Sequence, residues 1–154
     1  MSVKVILADD HEQIRYAQRC ILEGEAEVEI IAEAANGREL LQRVAQLGSD
    51  IVIMDINMPE INGIEATRRL RQSHPDVKVI GFSLYATSAM ILNMLNAGAW
   101  AYVSKKCAVN ELGEAIRAVV KGQRYISPSI CGAAIREIRR KDQKEAQCPS
   151  HDML

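Results

Sequence analysis

Apolar residues along this chain fall into short β-rich runs separated by stretches of helical period. The runs VKVILA, VEIIAEA, IVIM, VKVIGFS and WAYVS predict strands at 3–8, 28–34, 51–54, 77–83 and 100–104. Between them the pattern predicts helices near 12–23, 37–47, 61–73, 87–97 and 109–121. Alternation of this kind implies βαβ units, a parallel sheet and helices on both of its faces. IVIM and VILA are nearly continuous in apolar residues, as strands covered on both sides should be. The last of these helices has the clearest stripe, with Leu112, Ala115, Ile116, Val119 and Val120 at i, i+3, i+4, i+7 and i+8. Asn110 is its candidate cap. Asn36-Gly37 marks the turn into the second helix, Asn96-Ala97-Gly98 ends the fourth, and His74-Pro75-Asp76 breaks the chain before the fourth strand.

After Gly122 the pattern changes. Ser127-Pro128-Ser129 reads as a helix start, followed by a narrow stripe of Cys131, Ala134, Ile135 and Ile138 and the charged run REIRRKDQKEA. The final QCPSHDML has no period. Residues 1–122 therefore read as one domain and 123–154 as an appended helix and linker. A length of 154 residues suits such a domain and a sizeable core.

Composition removes several classes of function. A formal net charge of −1 excludes a whole-domain basic footprint for nucleic acid, and 4% aromatics give no stacking platform for single strands. Cys20, Cys107, Cys131 and Cys148 are scattered without a CxxC, and His11, His74 and His151 lack ligand spacing, so a zinc site or disulfide framework is not expected. The apolar run after Lys4 stops at Asp9, which is unlike a signal peptide, and no apolar stretch is long enough to span a bilayer. The expectation is a cytoplasmic protein with no membrane partner.

What the strands end in is more telling. The first ends at Asp9-Asp10, the third at Asp55, the fourth at Ser83 and the fifth just before Lys105. In a parallel α/β sheet all these ends share one edge. Carboxylates gathered around one ammonium call for a divalent cation and an anionic ligand, which is the arrangement of phosphoryl chemistry. Asp55, on the central strand, is the candidate nucleophile; Asp10 with Asp9 would hold Mg²⁺; Lys105 adds positive charge and Ser83 a hydroxyl donor. Taken singly, Asp10 reads more plainly as a cap for the helix near Glu12, Ser83 as a turn residue and Lys105 as a solvated amine. Their joint placement favours the chemical reading.

The chain also resembles the receiver domain of two-component response regulators over roughly residues 3–121. The matching segments are VILADDH at 5–11, IVIMDINMPEINGIEA at 51–66, VIGFS at 79–83 and GAWAYVSKK at 98–106, in the family's order, and the MDxxMPxxxG core is highly specific. The resemblance implies a doubly wound, flavodoxin-like α/β fold with five parallel strands in the order 2-1-3-4-5. It implies that Asp55 is the phospho-acceptor, that Asp9 and Asp10 are the metal pair, and that Lys105 contacts the phosphoryl group. Ser83 and Tyr102 match the switch residues, and the backbone carbonyl of Asn57 matches the remaining metal contact. The chain departs from the family's frequent pattern at Ala101, often glycine, and at Lys106, which adds a positive charge beside the site. Tyr85 and Asn57 occupy positions flanking the path of attacking water, so a bulky Tyr85 is expected to slow phosphoryl loss.

The segment GQRYISPSICGAAIREI resembles the end of receivers in the NarL/FixJ (LuxR-type) transcription factors, in which a DNA-binding helix-turn-helix domain follows. Arg136, Arg139, Arg140, Lys141 and Lys144 are interleaved with acidic residues, so a solvated helix face is favoured over a DNA surface. The expectation is a receiver cut short of its DNA-binding domain, or alternatively a stand-alone receiver. The implied partners are a histidine kinase and, on phosphorylation, a second copy of the chain, with DNA reached only through a domain absent here. Met90, Ile91, Met94 and Leu95 exceed one buried stripe, leaving core packing and a partner contact both open. The protein would not be an enzyme in the ordinary sense; an aspartyl-nucleophile phosphatase is the competing reading, disfavoured because such enzymes resemble a DxD after the first strand.

Overall fold

A computed structural model describes residues 2–84 and 87–128, with backbone alone at Cys107 and Ala108. The chain runs β1 (Val3–Ala8), α1 (Glu12–Leu22), β2 (Val28–Ala34), α2 (Gly37–Leu47), β3 (Ile51–Asp55), α3 (Gly63–Ser73), β4 (Lys78–Ser83), α4 (Ser88–Ala97), β5 (Ala101–Ser104), a 3-10 turn (Lys105–Cys107), α5 (Ala108–Val120) and β6 (Tyr125–Ile126). The sheet order is β2-β1-β3-β4-β5-β6, with every pair parallel. The expected 2-1-3-4-5 order is present, and a sixth strand extends it.

Alternation along the strands builds two cores. Ile6, Ala8, Val52, Met54 and Tyr102 pack beneath α2, α3 and α4 with Leu40, Leu70, Ile91 and Met94. Val5, Leu7, Ile51, Ile53, Ala101 and Val103 pack beneath α1 and α5 with Leu22, Leu112, Ile116 and Val119. Every residue of β3 is buried, which explains why IVIM carries no polar face. Because the chain goes from β1 outward to β2 and returns to β3 on the other side, a crevice opens between the C-terminal ends of β1 and β3.

Several local expectations need correction. The sixth strand lies in a segment that reads as helix and linker, because two residues are too few to establish a period of two. Asn110 lies inside α5, since the 3-10 turn feeds the helix from Ala108 and leaves no gap for a cap there. Val120 is exposed, having rotated off a stripe whose other four members are buried. Asp10 does not cap α1: His11 is the N-cap residue and makes no side-chain cap bond. Asn36 does cap α2, accepting from the Glu39 N–H at 2.8 Å. On α4, Ile91 and Met94 are core, whereas Met90 and Leu95 are partly buried against it. Tyr85 and the helix expected beyond Ser129 fall outside the described residues.

Candidate functional site

Strand register brings the chemical residues to one edge. Ala8 is level with Met54, so Asp9 and Asp55 leave neighbouring strands side by side. Asp55 is level with Phe82, placing Ser83 one residue further along β4, level with Ser104 and just before Lys105. The crevice between β1 and β3 is thus lined by two acidic strand ends and faced by one lysine.

Asp9 is fully buried and firmly held. Its Oδ1 accepts the His11 N–H at 2.9 Å, and its Oδ2 accepts from Lys105 Nζ at 2.8 Å. Arg15 of α1 donates to the Asp9 carbonyl and, at 2.9 Å, to Glu33 of β2, which fixes the end of β1. Asp55 has a side chain only 5% exposed and lies 3.3 Å from Lys105 Nζ, with the Asn57 N–H pointing at its Oδ1 from 3.4 Å. The ammonium is itself buried and sits over the Phe82 ring, so it is aimed inward rather than solvated. Burial foremost, and then the nearby Asp9 charge, raise the Asp55 pKa from 3.8 to about 6; Lys105 offsets part of this rise.

Three carboxylates and one imidazole meet at this point. Asp9, Asp10, His11 and Asp55 each offer a ligand atom, and these atoms lie within 4.8 Å of one another. Three of the four donors are carboxylate oxygens, and the residues supplying two of them, Asp9 and Asp55, are buried. That combination fits a hard divalent cation such as Mg²⁺. The His11 Nδ1 lies 3.2 Å from Asp9 and 3.0 Å from Asp10. Spacing alone did not single out His11, because its neighbours arise from a tight turn and from the next strand.

The remaining site residues are placed by packing. Ser83 is buried and hydrogen-bonded to the Tyr102 hydroxyl; burial raises the Tyr102 pKa and the Ser83 bond opposes the rise. Gly63 opens α3 where a Cβ would fall 2.1 Å from the Asp55 carbonyl, so glycine there lets α3 press against the end of β3. The Gly63 N–H donates to Ile56 at 2.8 Å, and Asn62 caps the helix by accepting from Glu65 at 2.9 Å. The fixed spacing of glycine after MDxxMP was the available signal for this role.

A family model for the response regulator receiver domain matches residues 5–117. The chain belongs to that family. It is 35% identical over 145 residues to the transcriptional regulatory protein DegU of Brevibacillus brevis, an alignment covering 94% of this chain and 61% of the relative. With the response regulator GacA of Pseudomonas syringae it shares 38% identity over 128 residues, covering 83% of this chain and 60% of GacA. This receiver thus spans about three-fifths of the length of these curated relatives. Among solved structures, a LuxR-family two-component response regulator from Aurantimonas sp. SI85-9A1 superposes with a TM-score of 0.84 at 35% identity, covering 90% of this chain and 99% of that one. Among the described residues no helix is long and apolar enough to cross a membrane.

Proposed function

We propose that this receiver accepts a phosphoryl group on Asp55 from a histidine kinase and converts it into altered assembly and transcriptional output. The observation that carries the reading is the buried Asp55 set 3.3 Å from an inward-facing Lys105 beside the Asp9–Asp10 pair. Asp9, Asp10 and Asp55, with the Asn57 carbonyl, would hold Mg²⁺. When bound, the cation would offset carboxylate charge and neutralise the phosphoryl oxygens.

The chain's own groups account for the rest. An Asp55 oxygen attacks phosphorus in line, the nitrogen–phosphorus bond breaks, and the kinase imidazole leaves with its electron pair. Lys105 lies within reach of the acquired charge and Ser83 can donate to a phosphoryl oxygen. A shift of Ser83 toward that oxygen acts on Tyr102 through the bond they share, remodelling the face of α4, β5 and α5. Dimerisation and DNA binding through a further domain are the expected outputs; the relative DegU is named a transcriptional regulatory protein. A cytoplasmic location follows from a kinase donor. Residues 1–122 would form the receiver and 123–154 the link to output.

Calorimetry with beryllofluoride, a phosphoryl mimic, tests the site. Binding should require Mg²⁺ and disappear in Asp55→Ala. Mimic binding unaffected by that substitution would remove Asp55 from its role, and continuous phosphate release from phosphomonoesters would favour a hydrolase.

A further inference from the structure

Tyr102 occupies an unusual seat. It projects from β5 on the α4 side and is fully buried. Its register partner on β4 is Gly81, and its partner on β6 is Ile126. A Cβ at Gly81 would lie 3.1 Å from Tyr102 Cδ2 and 3.1 Å from Met94 Cε, so the ring fills the space that a side chain at 81 would claim. Gly81 has no positive φ, so packing and not backbone conformation is what requires glycine in this strand.

The other side of the ring is closed as well. Without β6, β5 would be the edge of the sheet, and a ring turned away from β4 would meet solvent. Ile126 stands there instead, packed against the same core cluster. The strand carrying it is pinned at several points. The Ser127 N–H donates to the Tyr102 carbonyl at 2.9 Å, and the Tyr125 N–H to the Trp100 carbonyl at 3.3 Å. The Ser127 hydroxyl donates to the buried Glu111 carboxylate, and the Tyr125 hydroxyl to Glu114 at 2.9 Å. Ser127 itself is fully buried.

We infer that β6 is a latch on Tyr102: the ring can leave its seat over Gly81 only when the Tyr125–Ser127 segment detaches from β5. Ring position and attachment of the chain after α5 are then one two-state equilibrium, which either end can bias. Resting on the phosphorylation reading above, this gives the signal a route along the sheet edge. Drawing Ser83 and Tyr102 inward tightens β6, whereas an outward ring frees the segment that leads to output.

The test uses the whole chain without any phosphoryl donor. Hydroxyl-radical labelling of Tyr102 should rise roughly threefold or more in Ile126→Ala, which opens the exit. Gly81→Val should lower hydrogen-exchange protection of the Ser127 amide roughly tenfold, and Tyr102→Ala in that background should restore it, because the colliding ring is gone. Unchanged Tyr102 labelling, unchanged Ser127 protection, or protection lost without recovery in the double variant would each overturn the latch. A chain that shows this coupling yet, in a separate incubation with acetyl phosphate and Mg²⁺, gains no phosphoryl group on Asp55 would refute the phosphorylation reading and leave the latch standing.

Discussion

Asp55 illustrates how burial tunes a single carboxyl. Its carboxyl is held near pKa 6, above the unfolded value of 3.8, so ionising it in the folded protein costs free energy. Below pH 3.8 the group is neutral in both states and that cost vanishes; stability is lost as pH rises through 6. Asp55→Asn should therefore stabilise the receiver at pH 7.5 by on the order of 1–2 kcal/mol in urea titrations, with the gain disappearing near pH 4. Magnesium should stabilise the wild type but not this variant. Gly63→Ala, which sets a Cβ against the Asp55 carbonyl, should destabilise by several kcal/mol, on the order of 3. Gln18 offers a contrast, because both polar atoms of its buried amide lack a partner among the described residues. Gln18→Met should raise the urea midpoint, corresponding to about 1 kcal/mol. At this scale Asp9, Asp10, Asp55, Ser83 and Lys105 are legible in the sequence because each punctuates an apolar run. Gly81 and the place of His11 beside the acidic groups are not, since their meaning comes from a ring on β5 and from carboxylates on two strands.

Elements were legible where a period had room to repeat. The five longer strands and five helices follow from patterns of several residues, and their bounds shift by only a residue or two. The fifth helix begins earlier than its expected cap because the 3-10 turn after Lys105 needs no side-chain signal. β6 escaped detection for the opposite reason: its stability lies in pairing with β5 and in Glu111 and Glu114 of α5, contacts distant in sequence. Caps give an element-scale test. Asn62→Ala should lower stability by about 1 kcal/mol, and its readout should include slower beryllofluoride binding, because α3 begins beside Asp55.

At the scale of the molecule, the doubly wound order places a crevice between β1 and β3, and Asp9, Asp10 and Asp55 gather at that crevice. The sheet reaches past residue 122 to a buried Ser127, so the length of chain retained should matter. A chain ending after Gly122 should melt at a lower temperature than one ending after Pro128, and its Tyr102 ring should label faster. Differential scanning calorimetry and footprinting check the two halves of that expectation. Phosphoryl transfer to Asp55 is tested by intact-mass spectrometry after incubation with acetyl phosphate and Mg²⁺. One added phosphoryl group is expected on the wild type and none on Asp55→Ala. A wild-type chain that gains nothing, or an adduct that survives in Asp55→Ala, would contradict phosphoryl transfer to Asp55.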